Sequence, residues 1–333
     1  MQRIGSGALR TGNCSQPPDR PCPKGLCDKL RAPKFSAEPV LPTPHLLLAI
    51  AVVFVWGTNF VVIRWGLEGG MPPFFFATLR FALSALPWLL FMPRPAVSIS
   101  KLASFGVLLG VGQFGLLYLA IEDHISPGLA SLVIQLQVFF TIGLSLFLLK
   151  ERVRVFQVVG LLMALGGLLL IALNLGAQVT WIGLGLVLAA AFFWACANLV
   201  AKSAGRVNML HFVVWSSAFA VPPLLALSLL LEGGTAIGHA LQAASAATWA
   251  TVLWQALGNS LFGYGAWNWL LARHPAATIT PMALLVPLFG MGSSAWLLGE
   301  PMPGWKLGAC ALVLGGLAVI IFWPRLQGRW SRI

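Results

Sequence analysis

Ten long apolar stretches follow one another along the chain between Leu46 and Trp323. A helix needs about 20 predominantly apolar residues to cross a hydrocarbon core that is about 30 Å thick. Charged residues make up only 9% of the chain, against about 25% in soluble domains, so polar surface is too scarce to cover ten such helices in water. The sequence therefore predicts an all-α membrane protein that lies in a lipid bilayer.

The ten stretches are predicted to be transmembrane helices, and their short connections make neighbouring helices antiparallel. The predicted spans are Leu46–Trp65, Phe74–Met92, Leu102–Ile121, Gly128–Leu149, Val155–Asn174, Trp181–Ala201, His211–Leu231, Thr248–Leu271, Ala276–Leu298 and Trp305–Trp323.

The segments outside these spans differ in composition. Residues 1–44 contain many prolines and almost no apolar run, and such a segment buries too little surface to offset its ordering entropy. We therefore predict a disordered cytoplasmic tail at 1–44, although the sequence leaves open whether it belongs to the mature protein. Residues 324–333 are predicted to be a basic cytoplasmic tail.

The distribution of lysine and arginine predicts the orientation. With a cytoplasmic N-terminus, 18 of the 21 Lys and Arg residues fall in cytoplasmic segments, and Lys306 is the one in an external loop. An excess of positive charge in cytoplasmic loops is the general rule for helical membrane proteins. Both termini are therefore expected in the cytoplasm. The same rule explains the net charge of +12 without a nucleic-acid partner.

An internal repeat relates the first five predicted helices to the last five. Trp56 and Asn59 of the first helix correspond to Trp194 and Asn198 of the sixth, and the fourth and ninth helices each end near a glutamate. Because five is an odd number, the sequence predicts two inverted five-helix repeats, at 46–174 and 181–323. Inverted repeats with a binding site between them are characteristic of secondary transporters. The alternative is chance similarity between apolar segments.

Arg80 lies well inside the second predicted helix, where a charge costs at least about 2.5–3.5 kcal/mol. Two interpretations remain open. The residue could anchor a substrate carboxylate, or it could be structural, bonded to backbone carbonyls or reaching towards an interface. No acidic residue lies inside a predicted helix to neutralise it, which favours the anchor.

Other polar residues could line a cavity with Arg80. The Trp56/Asn59 and Trp194/Asn198 pairs each share a helix face, and the repeat would set the two pairs facing each other. Hydrogen bonding between helices is the alternative explanation for every one of these residues. Together they predict a polar, largely uncharged site for a zwitterionic metabolite. The candidate substrate-binding residues are Arg80, Trp56, Asn59, Gln135, Gln137, Thr141, Trp194, Asn198, Asn259 and Tyr264.

Motifs for catalysis are missing from the sequence. It contains neither a GxxxxGK[ST] phosphate loop nor an HExxH zinc motif, so we predict no cofactor, no metal and no enzymatic activity. The run Glu122–His124 is the one acidic cluster with a histidine, and it keeps an integral-membrane transferase as the less favoured alternative.

Five segments carry a further signal: Val55–Arg64, Phe76–Phe81, Gly128–Thr141, Ala190–Asn198 and Leu284–Gly290. Together they resemble the EamA family of the drug/metabolite transporter superfamily. The runs Gln135–Thr141 and Trp194–Asn198 are the most similar to family members that export O-acetylserine and cysteine. The proline-rich start departs from the compact start of the family.

The resemblance implies a bacterial inner-membrane exporter of amino acids or derivatives such as O-acetylserine and cysteine, working by alternating access. Other metabolites or drugs of the same superfamily remain alternative substrates. The sequence leaves open the coupling ion, the choice between uniport and antiport, and the oligomeric state, a homodimer included.

Overall fold

The computed structural model describes residues 42–149, 155–174, 176, 178–205, 207–274 and 279–330. Within these residues the chain is helical and contains no β-strand, apart from isolated bridges that pair Ile125 and Gly176 with Val179. Most of the predicted tail and the cysteines in it lie outside the described residues.

Eleven helices occupy the described part of the chain. They are α1 (Thr43–Glu68), α2 (Pro73–Leu89), α3 (Ile99–Asp123), α4 (Pro127–Leu149), α5 (Val155–Ala172), α6 (Trp181–Ser203), α7 (Met209–Glu232), α8 (Gly234–Ala243), α9 (Ala246–Arg273), α10 (Thr280–Leu297) and α11 (Gly304–Trp330).

Each predicted stretch carries a helix, and α8 is an additional short helix that the apolar pattern did not predict. α1 begins at Thr43, inside the segment assigned to the tail, and α11 continues past Trp323 to Trp330. Five helices, α1, α3, α5, α6 and α7, are long and apolar enough to cross a membrane. Shorter apolar helices lie within α2, α4, α10 and α11, and ten complete crossings stay a prediction.

Local sequence signals explain where several helices begin. Proline occupies the first turn of α1, α2 and α4, where its missing N–H would have no helical partner. Side chains cap other helices: Thr180 accepts from the Gly183 N–H at 3.0 Å, and Ser245 accepts from the Thr248 N–H at 3.1 Å. Gly233, with φ of 86°, separates α7 from α8 in a conformation that favours glycine.

The exterior of the bundle is apolar and its interior contains the polar side chains. Leu230 and Trp296 are 80% and 85% exposed, as expected for residues that face lipid rather than water. α5 and α11 pack closely because Gly160 and Gly316 meet, and a Cβ added to either would come within 2.7 Å of the other's carbonyl oxygen. Close approach through small residues is typical of helix packing in membranes.

Irregular turns occur in five of the described helices, and one of them is a π-helical turn at Ser228–Glu232 that ends α7. α3 contains a π-helical segment at Leu108–Gly115, and α9 contains another at Trp254–Phe262. A 3-10 turn occupies Ile134–Leu136 of α4, and a second one opens α10 at Thr280–Leu284. Such interruptions often mark functional sites, because they change which side chains share a helix face.

Candidate functional site

The guanidinium of Arg80 lies at the centre of a buried polar cluster. Arg80 is 1% exposed. Its Nε donates to Ser260 Oγ at 3.2 Å, and its Nη1 donates to Tyr118 Oη and Gln255 Oε1, both at 3.1 Å. Its Cζ lies 3.6 Å from the centre of the Phe114 ring, a cation–π contact. Helices α2, α3 and α9 therefore converge on one side chain.

Two asparagines extend this cluster. The Asn259 amide takes the orientation in which its oxygen accepts from Arg80 Nη2 at 2.8 Å and from Asn59 Nδ2 at 3.2 Å, because the reverse orientation would oppose its NH₂ to those donors. Asn59 is 4% exposed and belongs to α1. The Arg80 cluster, defined as Arg80, Asn59, Tyr118, Gln255, Asn259 and Ser260, thus draws on α1, α2, α3 and α9.

The charge of Arg80 has only neutral partners in this cluster. Within the described part of the chain, ion pairs link Arg64 to Glu68 and Lys306 to Glu300, and neither includes Arg80. A buried charge normally requires an opposite charge as well as hydrogen bonds. The cluster therefore leaves the charge of Arg80 without a counter-ion, and a carboxylate would match the fork geometry of a guanidinium.

An aromatic wall borders the cluster on α1 and α9. Trp56 donates its Nε1–H to the Asn259 carbonyl oxygen at 3.2 Å, and its ring centre lies 5.7 Å from that of Tyr264 and 5.2 Å from that of Trp267. Gly263 permits this approach, since a Cβ there would come within 2.3 Å of Trp56 Nε1. The predicted residues Trp56 and Tyr264 are thereby placed beside the cluster.

A second polar cluster joins α4 to α6. Asn198 donates from Nδ2 to Gln137 Oε1 at 2.9 Å, and Thr141 Oγ1 donates to the Gln137 carbonyl oxygen at 2.7 Å. Trp194 is half-buried one turn before Asn198 on the same helix. The two asparagines predicted to face each other thus take part in separate clusters, Asn59 with Arg80 and Asn198 with Gln137.

Gln135 lies apart from both clusters and links two irregular turns. Its Nε2 donates to the Ala283 carbonyl oxygen at 3.3 Å, which ties the 3-10 turn of α4 to the 3-10 turn of α10. Gln135 is buried. A side-chain amide that donates to a free carbonyl oxygen in this way stabilises the irregular backbone. The contacts of Gln135 therefore favour a structural role for this candidate.

Four residues of the Arg80 cluster or its surroundings are absent from the candidate set. They are Phe114, Tyr118, Gln255 and Ser260. Phe114 and Tyr118 are four residues apart on α3, so both side chains reach Arg80 from one face of that helix.

Two glutamates bind the N-terminal ends of helices in the first half of the chain. Glu232 accepts from the Phe74 and Phe75 N–H groups of α2 at 2.6 and 3.0 Å. Glu300 accepts from the Gly128 N–H of α4 at 3.0 Å and forms an ion pair with Lys306. Carboxylates are favoured there by the unpaired N–H groups and the helix dipole.

Comparisons with known proteins establish the family. The profile of the EamA-like transporter family matches residues 43–173 and 181–322, and the chain belongs to this family. A protein of Salmonella typhimurium described as a probable amino-acid metabolite efflux pump is 41% identical over 293 residues, covering 86% of this chain and 97% of its own. An Escherichia coli protein with the same description is 38% identical, with coverages of 83% and 94%.

The chain is also similar to two more distant proteins. A probable terminal-alkyne amino-acid exporter of Streptantibioticus cattleyicolor is 27% identical over 282 residues, covering 81% of this chain and 91% of its own. A crystal structure with 20% sequence identity superimposes with a TM-score of 0.57, covering 85% of this chain and 98% of that one, and shows the same fold.

Proposed function

We propose that this protein exports amino acids or their derivatives across the bacterial inner membrane by alternating access, with Arg80 as the anchor for the substrate carboxylate. The observation that carries this proposal is the buried guanidinium, which has neutral hydrogen-bond partners from two other helices, α3 and α9. The descriptions of the Salmonella and E. coli relatives as amino-acid metabolite efflux pumps support the same class of substrate.

Cysteine and O-acetylserine are the substrates we propose to test first. Each carries one carboxylate and one ammonium group, so each matches a single cation surrounded by neutral polar and aromatic side chains. A sugar phosphate would be expected to require more cationic groups. Asn59, Asn259, Trp56 and Tyr264 are proposed to contact the substrate beside Arg80, while Gln137, Thr141, Trp194 and Asn198 are proposed to contact it at a second position.

The packing of the helices supports two inverted halves. Two halves would make α1–α5 equivalent, in order, to α6, α7, α9, α10 and α11. The contact between α1 and α10 then corresponds to the contact between α6 and α4, and the contact between α6 and α3 corresponds to the contact between α1 and α9. All four contacts occur. The same correspondence relates the π-helical segments of α3 and α9 and the 3-10 turns of α4 and α10. Two matched family segments fit the same arrangement.

The membrane orientation is proposed from charge alone. Both termini are proposed to lie in the cytoplasm, because the positive residues concentrate on that side. Glu232 and Glu300, with their helix ends, then lie at the outer side.

An export assay tests the proposal. The protein is overproduced in bacteria, and cysteine, O-acetylserine and other amino acids are quantified in the medium, with Arg80→Ala made to equal abundance. Extracellular cysteine or O-acetylserine should rise with the wild type and not with the variant. Export that survives the substitution would reduce Arg80 to a structural role. No change in any amino acid would overturn the proposed substrate class and direct the search to other metabolites and drugs.

A further inference from the structure

Two buried amide atoms in the Arg80 cluster have no hydrogen-bond partner within the described part of the chain. They are Asn59 Oδ1, an acceptor, and Gln255 Nε2, a donor. Asn59 is 4% exposed and Gln255 is 0% exposed. Because buried polar atoms in native proteins are almost always paired, an unpaired donor and an unpaired acceptor beside one guanidinium require an explanation.

The orientation of both amides is determined by their other atoms. Gln255 Oε1 accepts from Arg80 Nη1 at 3.1 Å and from Tyr118 Oη at 2.9 Å, so a reversed amide would oppose its NH₂ to the guanidinium. Asn59 Nδ2 donates to the Asn259 oxygen, which Arg80 itself orients. The unpaired atoms are therefore Gln255 Nε2 and Asn59 Oδ1 in the oriented network.

The chemistry of the two atoms matches the two ends of an α-amino acid. A carboxylate only accepts hydrogen bonds, and an ammonium group only donates them. Gln255 Nε2 is a donor on the amide that already contacts Arg80, so it can add a bond to a carboxylate held there. Asn59 Oδ1 is an acceptor separated from Arg80 by Asn259, so it can receive a bond from an ammonium group on the same ligand.

We propose that Asn59 Oδ1 binds the ammonium group and Gln255 Nε2 the carboxylate of a free α-amino acid, which makes a free α-ammonium group a requirement for recognition. This assignment rests on the proposed export function, and it states which ligands that function would recognise. It distinguishes α-amino acids from N-acylated acids and from amines without a carboxylate. Arg80 alone would accept any small carboxylate.

Competition against labelled cysteine in vesicles tests the assignment on the wild-type protein. Purified protein in liposomes takes up labelled cysteine in the presence of unlabelled cysteine, N-acetylcysteine, which lacks the ammonium group, or cysteamine, which lacks the carboxylate. We expect cysteine to compete at least about tenfold better than either analogue, the usual scale for a hydrogen bond to a charged group. Equal competition by cysteine and N-acetylcysteine would overturn the assignment while leaving the transport function in place.

Variants separate the two contacts. Asn59→Leu keeps the side-chain size and should weaken the apparent affinity for cysteine by about tenfold or more. The affinity for N-acetylcysteine should change by less than about twofold. Gln255→Met should lower the affinities for cysteine and N-acetylcysteine by the same factor and leave the affinity for cysteamine unchanged. Comparing the thermal midpoint of Asn59→Leu with that of the wild type guards against a variant that does not fold.

A matched control and two contrary outcomes complete the experiment. Asn174→Leu removes an amide that donates to the Leu170 carbonyl oxygen at 2.8 Å, and it should leave every competitor unchanged. Equal loss of cysteine and N-acetylcysteine in Asn59→Leu would show that Asn59 only supports the helices. Failure of the wild type to take up cysteine would overturn the proposed substrate class, and this assignment with it.

Discussion

Replacing Glu300 should expose how strongly the buried ion pair supports the bundle. The Glu300 and Lys306 side chains are 7% and 0% exposed. The carboxylate also accepts from Ser126 Oγ and from the Gly128 N–H at 3.0 Å. In Glu300→Gln the Lys306 ammonium would keep the Gln178 oxygen at 3.3 Å but lose its counter-charge.

The expected cost follows from leaving that charge unpaired. Removing one partner of a buried ion pair typically destabilises a protein by about 3–5 kcal/mol, whereas replacing both partners with neutral groups is often nearly neutral. The double variant Glu300→Gln with Lys306→Met should therefore be more stable than Glu300→Gln alone. The carboxylate and the ammonium should show a favourable coupling in a double-mutant cycle.

Thermal unfolding of the purified proteins in one detergent, followed by tryptophan fluorescence at a fixed scan rate, measures this order. Apparent midpoints are compared rather than equilibrium free energies, because membrane proteins commonly unfold irreversibly. We expect Glu300→Gln to fall several degrees below the wild type and the double variant to recover most of the loss. A double variant no more stable than Glu300→Gln would refute the idea that the unpaired Lys306 charge causes the destabilisation.

Three further substitutions probe the packing of the bundle in the same unfolding assay. Gly106→Ala would place a Cβ 2.0 Å from the Ser216 carbonyl oxygen of α7 and should cost about 1–3 kcal/mol of stability. Gly143→Ala is the matched control, because a Cβ there would have no atom within 4 Å, and it should be neutral or stabilising. Equal effects of the two substitutions would contradict the close α3–α7 contact. Glu232→Ala removes the acceptor for the first N–H groups of α2 and should cost about 0.5–2 kcal/mol, so an unchanged midpoint would show that this cap contributes nothing.

Apolar runs predicted the helices well, because each run is longer than the apolar stretch that an exposed loop could contain. The differences occur where the local rules are weaker. The predicted tail ends at Pro44, yet proline is tolerated in a first helical turn, and α1 begins at Thr43. α8 escaped prediction because Gly234–Ala243 is only 10 residues long and lacks a continuous apolar run.

The candidate site was predicted only in part because helix geometry was assumed to be regular. Arg80, Asn59 and Asn259 could be selected as polar residues in apolar helices, and the structure brings them together. Gln255 and Ser260 are five residues apart and would point in different directions on an α-helix. The π-helical segment brings them to the same guanidinium, with Ser260 Oγ donating to the Gln255 carbonyl oxygen at 3.1 Å.

The two tyrosines illustrate the same limit. Tyr264 is in the candidate set as a possible hydroxyl donor, and Tyr118 is not. Tyr118 contacts Arg80, and it does so from α3, which packs beside α2 only in the folded bundle. A partner on another helix cannot be selected from spacing within one helix.

The measurement that tests the central claim most directly is the affinity of purified protein for cysteine, compared between the wild type and Arg80→Met. The account predicts binding to the wild type and a loss of at least about tenfold in the variant, because the guanidinium supplies charge-assisted hydrogen bonds to the carboxylate. The thermal midpoint of the variant should stay close to that of the wild type, since the substitution also removes an uncompensated buried charge. Equal affinity in both proteins would contradict the assignment of Arg80 as the substrate anchor.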